Sequence, residues 1–166
     1  MTPTGSEALV VPPLDRVASG WFDVDWFDDA GVVRAAPRDG KRFHDQLHRV
    51  LSILAVEPFA FDRFDDLLHE VATWISRHES RIKDGYLTIE DERLALVVVA
   101  NEREWREDLV DALAEFDLRI AADLRFESLA FGVVILPDAP EESIRSFLDP
   151  RFCARFQRGE GPTDAE

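Results

Sequence analysis

A chain of 166 residues that is 46% hydrophobic has the length of one domain and enough apolar material for a core, which excludes wholesale disorder. Its formal net charge of −15 repels phosphate backbones and anionic lipid, so binding nucleic acid or a membrane surface would need a local basic patch. The single cysteine, Cys153, excludes an intrachain disulfide and a multi-thiolate metal site within one chain.

No apolar run reaches the ~18 residues of a membrane span, and the start MTPTGSEALVVPP lacks the basic and apolar regions of a secretory signal. A cytoplasmic protein is the expectation. Residues 1–13 are polar, proline-containing and aperiodic and read as a mobile N-terminus. Residues 14–157 read as a single domain and 158–166 as a solvated, disordered tail.

From Trp21 to Phe27 the chain alternates, with Phe22, Val24 and Trp26 on one side and Asp23 and Asp25 on the other. This is the period of a half-buried strand. Asp28-Asp29-Ala30-Gly31 supplies a turn, and Gly31 to Ala36 returns as the second strand of an N-terminal hairpin. Two amphipathic helices follow. Lys41 to Leu54 carries Phe43, Leu47, Val50, Leu51 and Leu54 on one side, and Glu57-Pro58 breaks it. Asp62 is then a suitable N-cap for a helix to His78 whose stripe is Phe64, Leu67, Leu68, Val71, Trp74 and Ile75.

Lys83-Asp84-Gly85 reads as a turn before a strand at Tyr86 to Glu90. Residues 93–100 are apolar on both faces, the pattern of a central strand. A helix over 102–122 has Trp105, Leu109, Ala112, Leu113, Phe116 and Ile120 within one stripe. Residues 129–136 form a second two-sided apolar strand, and the three elements make a β-α-β unit that allows parallel pairing. A short helix over 139–148 has Asp138 as N-cap and Glu141 at capping-box spacing. Residues 151–157 leave two readings open: an edge strand from the alternation of Phe152, Ala154 and Phe156, or a helix with Arg151, Arg155 and Arg158 on one face. The fold class is therefore α+β: a small mixed sheet with a β-α-β core, an N-terminal hairpin and two amphipathic helices packed on it.

Four motifs bear on chemistry. Asp23-Val-Asp25 has the Asp-x-Asp spacing of aspartate-based phosphoryl transfer, but bulky Trp26 and Phe27 follow it. The same run fails as a calcium loop, because Asp28 stands where glycine is required and Arg34 where the bidentate glutamate belongs. His44 and His48 lie one helical turn apart and could chelate zinc, yet Asp45 replaces the glutamate that a zinc-protease motif places after the first histidine. His78 falls in the apolar stripe at a helix end, the position of an imidazole that caps the last carbonyls.

Arg38, Lys41 and Arg42 surround Gly40 at a helix N-terminus, where an anion could dock on free N–H groups. No phosphate-cradling glycine pattern accompanies them, and no serine sits in a nucleophile elbow. Cys153 has no base beside it and reads as a core residue. Trp21 shares the aspartate side of its strand and is the tryptophan expected to stand exposed as an interface anchor.

These readings favour a non-catalytic protein–protein interaction module: an acidic cytoplasmic accessory or adaptor protein, without a cofactor, whose partner is another protein with a basic surface. Nucleic acid and membrane are not expected partners, and the oligomeric state is left open. One alternative is an immunity or antitoxin protein masking a basic toxin; another is a small metal-dependent hydrolase using His44, His48 and nearby carboxylates, with Asp23 and Asp25 the remaining metal candidates. Of the 19 cationic residues only Lys41 and Lys83 are lysines, so the acidity can also share its origin with a compositional bias.

Overall fold

The structure, a computed structural model, describes residues 20–53, 61–104, 106–127 and 129–159, with the side chains of 53, 61 and 62 excepted. The expected mobile N-terminus 1–13, the Glu57-Pro58 break, the Asp62 side chain, Trp105 and the tail from 160 onward lie outside them.

Six strands form one mixed sheet: β1 (Trp21–Asp29), β2 (Val32–Pro37), β3 (Ile82–Glu90), β4 (Arg93–Ala100), β5 (Phe131–Leu136) and β6 (Cys153–Arg158). Their order across the sheet is β2-β1-β6-β3-β4-β5. β1 pairs with β6, and β4 with β5, in parallel; the other neighbours are antiparallel. Among the described residues there are four α-helices: α1 (Gly40–Ile53), α2 (Phe61–Arg77), α3 (Glu107–Ala121) and the short α4 (Glu141–Arg145). The molecule belongs to the α+β class.

Alternation decides the faces of the sheet. Phe22, Val24 and Trp26 of β1, with Ala154 and Phe156 of β6, point to an inner face that α1, α2 and α3 cover. There Phe22, Phe43, Phe64 and Phe152 meet with ring centroids 5.2–6.4 Å apart, in edge and tilted geometries that suit the aromatic quadrupole. The stripes read from the sequence are buried: Phe43, Leu47, Val50 and Leu51 on α1, all six residues on α2, and Leu109, Leu113, Phe116 and Ile120 on α3. At ~1.5–3 kcal/mol per fully buried large side chain, these contacts outweigh any cap or surface ion pair. A smaller apolar cluster of Tyr86, Val97, Val99, Leu136, Ile144 and Cys153 lies on the outer face beneath α4.

Two hairpins close on two-residue loops whose residues both take positive φ: Ala30 (55°) with Gly31 (89°), and Asp91 (51°) with Glu92 (60°). This left-handed pair matches the twist of the flanking strands. Asp28 completes the first loop by accepting from the Gly31 N–H at 2.9 Å.

Several boundaries differ from the sequence reading, each for a tertiary reason. Lys83-Asp84-Gly85 is no turn; it belongs to β3, and the register slips by one residue between Ile82 and Asp84, a bulge that turn-forming residues accommodate. Gly85 lets α2 pack closely here: a Cβ would come within 2.8 Å of Ile75 Cδ1 and the isoleucine side chain would have to shift. The third helix starts at Glu107 instead of 102. α4 is only five residues long and its N-cap is Pro140, whose side chain offers no hydrogen bond, whereas Asp138, expected as the cap, lies two residues earlier and meets Lys83 Nζ at 3.0 Å.

The two apolar-pattern strands exchange roles. β6, which reads as an edge or a helix, lies in the interior between β1 and β3, and Arg158 ends it instead of opening a tail. β5, which reads as a two-sided apolar strand, is the edge.

Candidate functional site

The register assembles a half-polar, half-aliphatic outer face. One row runs Asp23 on β1, Arg155 on β6, Tyr86 on β3, Val97 on β4 and Val134 on β5. Beside it Asp25 pairs with Gln157, and across the sheet Val99 pairs with Leu136. The aspartates of the opening strand are not simply solvated. Arg38 Nε donates to both oxygens of Asp25 at 3.1 and 3.0 Å, and Gln157 Nε2 donates to Asp23 Oδ1 at 2.6 Å. Arg155 donates twice to Asp84 Oδ1, at 3.1 and 2.9 Å. Burial works against the Arg155 charge, but Asp84 more than offsets it and the guanidinium pKa is raised. Burial, with Asp84 adding, also pushes the Tyr86 phenol above its ordinary value.

Two shallow clefts of about 250 and 220 Å³ share Lys83, Asp84 and Arg155 in their walls. Both are smaller than the ~300–1,000 Å³ of a usual ligand pocket. Their cations Lys83, Arg155 and Arg158 already face Asp138, Asp84 and Glu79, so neither cleft presents an unbalanced charge to a ligand.

The sequence-derived metal candidates do not converge. Asp23 and Asp25 occupy the outer face, whereas His44 and His48 lie on α1, which packs against the inner face through Phe43 and Leu47. His44 Nε2 stands 4.0 Å from Asp65 Oδ1 of α2, and His48 is exposed. Among the described residues no three His, Cys, Asp or Glu side chains gather in a way that could hold a metal ion.

The anion candidates are drawn into internal pairs. Arg38 binds Asp25, Lys41 Nζ meets Asp45 at 3.0 Å, and Arg42 donates to the Trp21 carbonyl at 2.7 Å while lying 4.2 Å over the Phe22 ring. Gly40 opens α1, and Asp39 caps that end by accepting from the Arg42 N–H at 3.2 Å.

His78 stacks on Trp74 at 4.2 Å, and its Nδ1 lies 2.7 Å from the Trp74 carbonyl oxygen at the end of α2. Cys153 is buried, and burial followed by the Asp149 charge pushes its thiol up, away from thiolate chemistry. Trp21, expected as an exposed anchor, is half-buried against the Tyr86 ring at 6.0 Å.

The sequence reading followed only the buried stripe of α3. Its outer stripe carries Glu107, Asp111 and Glu115, spaced i, i+4 and i+8, and then Leu118, which is 70% exposed. Leu124, 79% exposed, follows the helix. Among the described residues no cation pairs with Glu107, Asp111, Glu115 or Asp117. The contrast with neighbouring acids is sharp. Hydrogen bonds from Arg106 and Arg81 hold the Asp108 carboxyl at about 2. Burial opposes ionisation of Glu70, yet hydrogen bonds from Arg119 and Arg125 bring its pKa below the ordinary value. The i, i+4 spacing was legible in the sequence; that no cation reaches it was not.

No family model, curated protein or solved structure matches the chain.

Proposed function

We propose that the chain is a non-catalytic interaction module, an acidic accessory protein that docks a partner with a basic surface along the outer stripe of α3. One observation carries the reading. Asp23, Asp25 and Asp84 on the sheet's outer face, with Asp138 after β5, are tied to arginine, lysine or glutamine, whereas Glu107, Asp111 and Glu115 have no such partner among the described residues. The outer stripe of α3 thus carries three acids at helical spacing that no described cation offsets.

Like charges at i, i+4 weaken a helix by ~0.2–0.5 kcal/mol per pair, which offsets what Glu107 gains from the helix dipole in the first turn. The arrangement does draw in a cationic surface, and Leu118 and Leu124 beside it offer apolar contact once the partner arrives.

Affinity capture from the source cells tests this, comparing the full chain with a Glu107→Gln/Asp111→Asn/Glu115→Gln variant. The wild type should enrich a protein with a basic surface, released by moderate salt, and the variant should not. Equal enrichment by both chains, or none by the wild type, counts against the proposal. Rescue from that partner's toxicity on co-expression would mark the narrower immunity role.

A further inference from the structure

The bulge in β3 builds one wall of a cleft. Neighbouring residues of a regular strand face opposite ways, but where the register slips between Ile82 and Asp84, Lys83 and Asp84 line the same cleft of about 220 Å³. Tyr86 follows from β3, Arg155 comes from β6, and α4 supplies Glu141 and Ile144.

Tyr86 stands apart from the other members of this wall. It is 7% exposed, yet among the described residues its hydroxyl has no hydrogen-bond partner. Burial, with Asp84 adding, keeps the phenol protonated, so it is a donor. A hydroxyl this deep with no protein partner costs stability unless something in the cleft meets it.

Hydrogen-bonding capacity of both kinds is left over around it. Arg155 spends Nε and Nη2 on Asp84 Oδ1, which leaves Nη1 and Asp84 Oδ2. Lys83 Nζ gives one N–H to Asp138 and keeps the others, and Glu141 accepts from Arg145 at Oε1 and keeps Oε2. The cations Lys83 and Arg155 balance the acids Asp84 and Glu141, so a simple anion or cation gains little in the cleft. A molecule that carries both signs meets both sets at once.

We propose that this cleft binds a small zwitterion of the α-amino acid class. The carboxylate takes its donors from Tyr86, Arg155 and Lys83, the ammonium lies at Asp84 and Glu141, and a short apolar side chain meets Ile144. A cleft below the ~300 Å³ at which usual ligand pockets begin limits the ligand to a single small residue. The site lies on the sheet's outer face, whereas α3 covers the inner one, so it stands or falls apart from the basic partner.

NMR titration of the isotope-labelled full chain with L-alanine tests the proposal. Amide shifts over 82–86 and 141–144 should saturate at millimolar L-alanine. Acetate and methylammonium, which each carry one charged end, should leave those amides in place at the same concentrations. Tyr86→Phe keeps the ring against Trp21 and removes only the hydroxyl. It should weaken binding about tenfold, the worth of one hydrogen bond to a charged group. Glu141→Gln, on the exposed side of α4, should weaken binding without touching the core, and Glu115→Gln on α3 should bind as the wild type does. Absence of a saturable shift with L-alanine would overturn the proposal, as would shifts confined to another segment. Equal affinity in both Tyr86→Phe and Glu141→Gln would also overturn it, and so would acetate moving the same amides as strongly, which would assign the cleft to a simple anion.

Discussion

The Thr88 hydroxyl donates to the main-chain carbonyl of Phe152 at 2.8 Å and accepts from the Asp149 N–H at 3.0 Å. Thr88, 0% exposed, is the buried polar residue of the described chain, and it pins the segment between α4 and β6 to β3. Thr88→Val keeps the shape but leaves the buried Phe152 carbonyl and the part-buried Asp149 N–H without this partner. Such a loss costs about 1–3 kcal/mol. Chemical denaturation should show a lower midpoint at unchanged slope, while Thr88→Ser should recover most of the loss.

The hairpin loops make the opposite kind of prediction. A non-glycine residue in the left-handed region costs about 1–2 kcal/mol, and Glu92 sits there at φ 60° with its side chain exposed. Glu92→Gly creates the Asp-Gly pair that such loops favour and should raise stability by about 1 kcal/mol. Ala30→Asn should act in the same direction in the first hairpin. Thermal unfolding of the two variants checks both.

Glu70 receives Arg119 Nη1 at 2.7 Å and Arg125 Nη2 at 2.9 Å, joining α2 to α3 and the turn after it. Its folded pKa is lowered from 4.5, so its contribution to stability is fully present above that value and is lost as pH falls through the lower, folded one. Glu70→Gln should therefore be less stable than wild type at pH 7, with the gap closing below about pH 4. Denaturation midpoints of the two proteins across pH measure that gap; a gap independent of pH would contradict the linkage.

Much of the fold was legible because it rests on local period. The alternation of Phe22, Val24 and Trp26 and the stripes on the three long helices each reflect one face turned to one core. What was not legible depends on pairing between distant segments. Arg155 and Gln157 gave β6 the look of an edge, yet they find Asp84 and Asp23 on neighbouring strands and so can occupy the middle of a sheet. Both faces of β5 are apolar in the sequence, and only the strand order shows that it ends the sheet among the described residues. The Lys83-Asp84-Gly85 run was read as a turn because turn residues and bulge residues are the same residues.

The candidate site follows the same division. Asp23 and Asp25 drew attention as isolated acids, but Arg38, a dozen residues further along, and Gln157, near the other end of the chain, quiet them. The acids of α3 lay outside the stripe followed in the sequence, and their distinction lies in the cations that do not come near among the described residues.

The most direct test of that distinction is the association rate with the captured partner, followed by stopped-flow fluorescence across ionic strength. Steered encounters run roughly 10-fold to 1,000-fold above unsteered ones at low salt and fall steeply as salt screens them. The wild type should lose at least tenfold in rate between low and physiological ionic strength, and the Glu107→Gln/Asp111→Asn/Glu115→Gln chain should start lower and vary little. Superimposable salt profiles for the two chains would contradict the assignment of the encounter surface to α3.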